Sequence, residues 1–266
     1  KLEDKLDEKQ TDITINLVND VITKFFKDKK LYISVVPDKH YYASAENGYP
    51  AMDYEKMISL IQENIGAEYI DITEKLSLSD YYSTDSHWSQ DKITDVAQHL
   101  VDKMGNDFKL MPESGYKINT LEPFYGVYYG QFAQKTDGDK LNYLTSENTL
   151  SMKMTVINEK GMPETHPVYT VDKFSNVDPY DVFTAGAQSY ITIENPGAKS
   201  NKHLILFRDS FGSSLIPLLA EGYRSVTLID IRYIQSDFLA NFVDFQDKDV
   251  LFLYSTVVLN NSETLK

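Results

Sequence analysis

The sequence predicts an α/β protein in which a parallel sheet is flanked by helices and the chain is interrupted by a mostly β insertion. Apolar residues at helical spacing alternate with short apolar runs up to residue 114 and again from residue 194. Between these stretches, residues 115–193 carry short alternating segments separated by Gly, Pro and Asn. Because alternating strands and helices build a parallel sheet, we expect residues 1–114 and 194–266 to form one core around the insertion 115–193.

The first part of the chain predicts two helix-and-strand units. Apolar residues recur at helical spacing over 13–26, and the apolar run over 31–36 then indicates a buried strand. A second helical pattern over 54–65 ends before Gly66, which is a common helix stop, and residues 69–72 indicate a second strand. A polar, tyrosine-containing segment follows.

A further helix is predicted over residues 93–104, with Ser89 as its N-cap and Gly105 as its end signal. After the insertion the α/β pattern returns. It predicts strands over 203–208, 225–229 and 250–254 and helices over 213–221 and 234–243. Ligand sites in such sheets lie at the carboxyl ends of the strands, so the turns that follow the strands are the places to look for function.

Composition excludes several functions. Forty acidic against 26 basic residues give a formal charge of −14, which disfavours binding to a nucleic-acid backbone. Cysteine is absent, so a disulfide framework, a thiolate zinc site and a cysteine nucleophile are excluded. The 19 tyrosines could form sugar-binding surfaces or simply fill the core, and both interpretations remain open.

Membrane association is expected only through a segment outside this sequence. No apolar run reaches the length of a membrane span. The charged, helix-like stretch that starts at Lys1 leads us to expect an N-terminal anchor ahead of it.

A serine follows the predicted strand 203–208 at the start of a turn. Asp209 and Ser210 come directly after the strand, and a helix is predicted a few residues later. Backbone N–H groups and the dipole at a helix N-terminus can stabilise an oxyanion, so Ser210 is a candidate nucleophile. The motif alone favours a simpler role, in which Ser210 or Ser213 only caps the helix.

A carboxylate and an imidazole lie two residues apart in the polar segment. In an extended chain, Asp85 and His87 point to the same side, so Asp85 can hold the imidazole tautomer that accepts a proton from a serine. An Asp-x-His pair can also bind a metal, but no further ligands stand at a recognisable spacing. Both interpretations remain open at this point, and a triad is favoured.

These two motifs together resemble a known family. Asp85-Ser86-His87-Trp88 and Asp209-Ser210-Phe211 are similar to the motifs of the DHHW proteins and the related alginate O-acetyltransferases, and residues 36–39 and 229–233 resemble further segments of that family. The resemblance implies an SGNH-hydrolase-like core in circularly permuted order, with Asp85 and His87 ahead of the nucleophile Ser210. Ser86 stands where the family has its first histidine, and the usual oxyanion asparagine block is absent.

The resemblance implies an extracellular, serine-dependent O-acetyltransferase that acts on a cell-surface polysaccharide without a cofactor. It also implies a membrane-bound O-acyltransferase partner that supplies acetyl groups. Arg232 and Tyr233 lie where another SGNH block would fall, so they are candidate oxyanion or substrate-binding residues. A carbohydrate acetylesterase with the same triad and a non-catalytic glycan-binding scaffold are the alternatives.

Overall fold

The main element of the structure is an eight-stranded sheet. The structure is a computed structural model, and it describes residues 5–131, 136–158, 160–241 and 243–265. Parts of three predicted segments lie outside the described residues: residues 1–4 and Lys266 of the predicted core, residues 132–135 and Glu159 of the predicted insertion, and Phe242 of the predicted last helix. None of the described helices is long and apolar enough to cross a membrane.

The elements follow one another in an α/β order at both ends of the chain. The first part contains α1 (Glu8–Phe25), β1 (Tyr32–Val36), α2 (Lys39–Asn47), α3 (Tyr54–Asn64), β2 (Glu68–Tyr69) and α4 (Thr94–Lys103). The middle part contains β3 (Lys117–Phe124), β4 (Asp139–Thr145), α5 (Glu147–Ser151), β5 (Lys153–Ile157), β6 (Pro163–His166) and β7 (Tyr190–Glu194). The last part contains β8 (His203–Arg208), α6 (Phe211–Leu219), β9 (Ser225–Ile229), β10 (Asp249–Ser255) and α7 (Thr256–Leu259).

The sheet is mainly parallel. Its strand order is β2-β1-β10-β8-β9-β7-β5-β6, and the first five strands in this order run parallel to one another. The last three join antiparallel, and β3 and β4 form a separate two-stranded sheet. The predicted α/β class, with a parallel sheet flanked by helices, is confirmed.

Each face of the sheet packs against its own apolar cluster. Successive side chains of a strand point to opposite faces. On β8, Leu204 and Leu206 accordingly join the cluster that contains helices α4 and α6, whereas Ile205 and Phe207 join the cluster that contains α1 and α3. Both faces of the central strands are buried, which explains why these strands are continuous apolar runs in the sequence.

Residues 115–193 are integrated with the main sheet as well as forming their own hairpin. β7 pairs with β9 from Tyr190↔Ile229 to Glu194↔Ser225, and β5 pairs with β7 on its other side. β7 therefore continues across the predicted boundary between insertion and core. The division of the chain into these two parts stays a prediction.

Two predicted helix features differ from the structure, and one helix was not predicted. The helix predicted over 234–243 is instead a short 3-10 segment, Ser236–Asn241, in which Leu239 is buried and Phe238 is exposed. Ser89 precedes the 3-10 turn Gln90–Lys92, and α4 begins only at Thr94. Helix α2 was not predicted, because none of its described side chains is buried and would mark a helical face.

Candidate active site

Ser210 lies at the junction between β8 and α6, at the carboxyl end of the parallel strands. It occupies the N-cap position of α6 but has helical dihedral angles, and its side chain does not cap the helix. The carboxylate of Asp209 takes the capping contact instead, since its Oδ1 accepts the N–H of Phe211 at 3.0 Å. The capping interpretation of Ser210 is therefore wrong, and its hydroxyl is available for another partner.

Asp209 holds the turn around Ser210 in place. Its carboxylate is buried, and its second oxygen accepts the N–H of Ser255 at 2.7 Å, at the end of the neighbouring strand β10. Gly212 allows α6 to pack closely on β8, because a Cβ there would lie 2.7 Å from the Cβ of Arg208. The backbone of the turn is therefore fixed from both sides.

Asp85 and His87 lie in a short hairpin-like loop that ends in a bridge between Tyr81 and Trp88. Nδ1 of His87 is 2.5 Å from Oδ1 of Asp85, and the backbone N–H of His87 donates to the same oxygen at 2.9 Å. On the other side of the ring, Nε2 is 2.8 Å from the Oγ of Ser210. The structure therefore brings Asp85, His87 and Ser210 into one hydrogen-bonded line.

The surroundings of Asp85 stabilise its ionised carboxylate. Only 1% of the residue is exposed, and its second oxygen accepts the N–H of Val127 at 2.9 Å. Burial by itself raises the pKa of this carboxyl, but the charge and hydrogen bonds of His87, together with the Val127 N–H, lower the pKa to about 2. An ionised Asp85 holds the hydrogen on Nδ1 of His87 and leaves Nε2 as a proton acceptor.

Aromatic rings enclose the imidazole. Tyr180 stacks on His87 with a centroid separation of 3.9 Å and an angle of 9°, and Phe211 contacts the ring at 4.9 Å. The Tyr180 hydroxyl donates to the Oγ of Ser214 at 2.8 Å, and the indole N–H of Trp88 reaches the same oxygen at 2.9 Å. Sequence analysis missed Tyr180, since it lies in an irregular segment and no local pattern distinguishes it from the other tyrosines.

Lys39 fixes the loop that carries Asp85 and His87. Its ammonium donates to the carbonyl oxygens of Tyr82 at 2.8 Å, of Ser83 at 3.2 Å and of Asp85 at 3.0 Å. Burial lowers the pKa of Lys39, and the charges of Asp85 and Asp139 partly oppose this change. Lys39 belongs to the segment 36–39, but its contact with the loop could not be read from the sequence.

Arg232 and Tyr233 lie near the same sheet edge but outside the line formed by Asp85, His87 and Ser210. Nε and Nη2 of Arg232 both bond to the buried carboxylate of Asp230, at 2.9 and 2.7 Å. Tyr233 lies against the guanidinium and is half exposed. In the described part of the chain, neither side chain makes a hydrogen bond or ring contact with Ser210 or His87, so their role stays a prediction.

A sequence model of the family described as DHHW protein matches residues 15–229. This match spans most of the chain and includes Asp85, His87 and Ser210. The chain belongs to the DHHW family. No curated protein matches it.

Solved structures share the fold of this DHHW chain at low sequence identity. PatB1 of Bacillus cereus, solved with a sulfonyl adduct, is 18% identical with a TM-score of 0.77, over 97% of this chain and 92% of PatB1. A DHHW family protein of Eubacterium siraeum is 20% identical with a TM-score of 0.74, over 96% and 86% of the two chains. The O-acetyltransferase domain of Pseudomonas putida AlgJ is 12% identical with a TM-score of 0.50, over 94% and 83%. The SGNH-like α/β fold expected from the sequence is therefore confirmed.

Proposed function

We propose that this DHHW protein is a serine-dependent O-acetyltransferase that modifies hydroxyl groups of a cell-surface polysaccharide. The observation that carries the proposal is the 2.8 Å contact between Oγ of Ser210 and Nε2 of a histidine whose other ring nitrogen contacts a buried carboxylate. A serine, a base and a group that orients the base are the parts that nucleophilic acyl transfer needs. A non-catalytic scaffold has no need of this alignment.

In the first half of the reaction, Ser210 takes the acetyl group from an ester donor. Oγ attacks the carbonyl carbon while Nε2 of His87 accepts the hydroxyl proton. Asp85 stabilises the imidazolium that forms. The ester C–O bond of the donor then breaks, the donor's alcohol leaves with the proton from His87, and an acetyl ester remains on Ser210.

In the second half, a sugar hydroxyl replaces the donor's alcohol. His87 removes the proton of the acceptor hydroxyl, whose oxygen attacks the acetyl carbon of the acyl-enzyme. The bond to Oγ of Ser210 breaks, and His87 returns the proton to that oxygen. Water in place of the sugar would make the protein an acetylesterase, so access of the acceptor decides between transfer and hydrolysis.

The transient oxyanion needs hydrogen-bond donors near Ser210. The N–H groups of Phe211 and Gly212 are already bonded to the side chain and the carbonyl of Asp209, at 3.0 and 3.1 Å. The N–H of Ser210 itself is therefore the backbone donor that we propose. Arg232 and Tyr233 remain the proposed side-chain candidates.

The substrate side of the proposal rests on the family resemblance and on the names of similar proteins. One of the similar structures is the O-acetyltransferase domain of AlgJ, and another is PatB1 with a sulfonyl adduct. We extend this to an extracellular, membrane-anchored protein that receives acetyl groups from a membrane-bound O-acyltransferase partner. No cofactor enters the proposed reaction.

The test is turnover of p-nitrophenyl acetate, measured with and without oligosaccharide acceptors, in the native chain and in Ser210→Ala. We expect Ser210→Ala to lower turnover by roughly 10⁴–10⁶-fold. Ser213→Ala is the matched control, because Ser213 lies on the same helix but has no part in the proposed reaction. Acetylated oligosaccharide in the products of the native chain would support transfer. Unchanged turnover in Ser210→Ala would refute the proposal.

A further inference from the structure

A cavity of about 680 Å³ lies behind the loop that carries Asp85 and His87. Tyr49, Pro50 and Leu78 contribute an apolar wall, and His40 contributes an imidazole. Its volume falls within the range of small-molecule sites in proteins, which is roughly 300–1,000 Å³. Neither Ser210 nor His87 lines this cavity, so it is separate from the place where the acyl group would be transferred.

The cavity shares a wall with the candidate active site. Tyr82 and Ser83 line it, and they belong to the loop that continues into Asp85 and His87. Lys39 lines it too, and the ammonium of Lys39 holds the carbonyl groups of Tyr82 and Asp85. A ligand in this cavity would therefore contact the outer side of the segment that positions Asp85 and His87.

The chemistry of the lining favours a neutral ligand that has both an apolar face and hydroxyl groups. Tyr49 is 60% exposed, so its ring can cover the C–H face of a sugar. His40 also lines the cavity, and its buried Nδ1 makes no hydrogen bond within the described ranges, so the imidazole keeps a hydrogen-bonding nitrogen for a ligand that reaches it. Among the side chains that the structure describes, no carboxylate lines the cavity, and the ammonium of Lys39 is already surrounded by carbonyl oxygens.

We infer that this cavity is a binding subsite for a neutral pyranose unit of the acceptor polysaccharide. The inference rests on the proposed function, since it assigns a binding site to the acceptor of that reaction. The cavity would hold a sugar unit at a distance from the reacting hydroxyl, and the shared loop would keep the glycan aligned with Ser210. An anionic glycan would find no free cation among the side chains named here.

Binding can be measured apart from catalysis in the Ser210→Ala background. We propose calorimetric titration with cellotetraose and chitotetraose, two neutral probes, and with tetramannuronate as an anionic probe. One of the neutral probes should bind more tightly than tetramannuronate. Adding Tyr49→Ala should weaken that binding by at least 10-fold, and adding His40→Phe by about 3–10-fold, since a lost hydrogen bond or stacking contact has effects of this order.

Phe238→Ala is the matched control, because Phe238 is 54% exposed and does not line the cavity. Equal affinity in Tyr49→Ala and Phe238→Ala would overturn the inference. Tighter binding of tetramannuronate than of the neutral probes would also overturn it. An apolar occupant would overturn it as well, and it would appear as tighter binding of p-nitrophenyl octanoate than of the neutral probes, which Tyr49→Ala removes.

Kinetics separate a failure of this inference from a failure of the proposed function. In the chain with Ser210 intact, Tyr49→Ala should raise the acceptor KM for transfer by at least 10-fold, whereas Phe238→Ala should leave that KM unchanged. Acceptor kinetics that do not respond to Tyr49→Ala would overturn the subsite while leaving the triad in place. Acetyl-ester turnover that survives Ser210→Ala would refute the triad, whereas the calorimetric result would still decide whether the cavity binds sugar.

Discussion

Gly126 lies directly against Asp85. A Cβ at Gly126 would fall 2.2 Å from the Cβ of Asp85 and 2.3 Å from its Oδ2, so only a glycine permits this approach. The next residue, Val127, donates its N–H to that Oδ2. A segment of the predicted insertion therefore helps to orient a residue of the candidate triad.

Gly126→Ala should consequently reduce activity without touching a reacting group. The added methyl group must displace Asp85 or the 126–127 backbone, and overpacking of this kind costs about 1–3 kcal/mol of stability. We expect turnover of p-nitrophenyl acetate to fall by about 10–100-fold, since displacing the orienting carboxylate misaligns the imidazole. Gly130→Ala is the control, because a Cβ there meets no atom within 4 Å. Equal loss in both variants would argue against the contact with Asp85.

Asp85→Asn distinguishes a triad from a metal site. In a triad, the amide favours the wrong imidazole tautomer, so turnover should fall by roughly 10⁴-fold while the protein stays folded. Prolonged treatment with a chelator should leave the native chain fully active, because both ring nitrogens of His87 are engaged by Asp85 and Ser210. Activity that disappears on chelation and returns with added metal would contradict the triad.

The stability of the protein should depend on Asp85 in acid. Its pKa in the folded chain, about 2, lies below the ordinary value of 3.8. The carboxylate therefore contributes stability that is fully present above about pH 4 and is lost as the pH falls through about 2. We expect a contribution of about 2 kcal/mol.

Urea denaturation at pH 5 and at pH 2 measures this contribution. The fall in the free energy of unfolding between the two values should be smaller in Asp85→Asn by about that amount. Asp102→Asn is the comparison: hydrogen bonding to Lys109 lowers the pKa of Asp102, but the side chain is 45% exposed, so solvent screening should leave only a small effect. If the free energy of unfolding falls by the same amount between pH 5 and pH 2 in the native chain and in Asp85→Asn, the acid-dependent stability does not come from Asp85.

Lys39 should matter for activity through the loop that it holds. Lys39→Met leaves the carbonyl groups of Tyr82 and Asp85 without their ammonium donor, so we expect turnover of p-nitrophenyl acetate to fall by about 10-fold or more. Lys39→Arg keeps the charge and should retain more activity than Lys39→Met. Lys56→Met removes an exposed ion pair with Glu8 and should have almost no effect. Full activity in Lys39→Met would exclude a positioning role.

The local patterns of the sequence determined the central strands and the main candidate residues. The strand before Ser210 is predictable because both of its faces are buried, which requires a continuous apolar run. Asp85 and His87 are predictable as partners because they lie only two residues apart, although the structure joins them in a bent loop, where Asp85 Oδ1 contacts both the backbone N–H and Nδ1 of His87, and not in the extended segment that we expected. These features depend on neighbours in the chain, so a single sequence carries them.

Only the tertiary structure decided how distant segments meet. Tyr180 stacks on His87, and Gly126 packs against Asp85, although many residues separate the partners in the chain. Neither contact leaves a periodic signal, because each depends on the path of irregular segments over the sheet edge. The same reason applies to β7, whose alternating pattern predicts a strand but not its antiparallel pairing with β9. Hydrophobic periodicity reports burial along one element, whereas pairing and side-chain contacts depend on how the elements pack together.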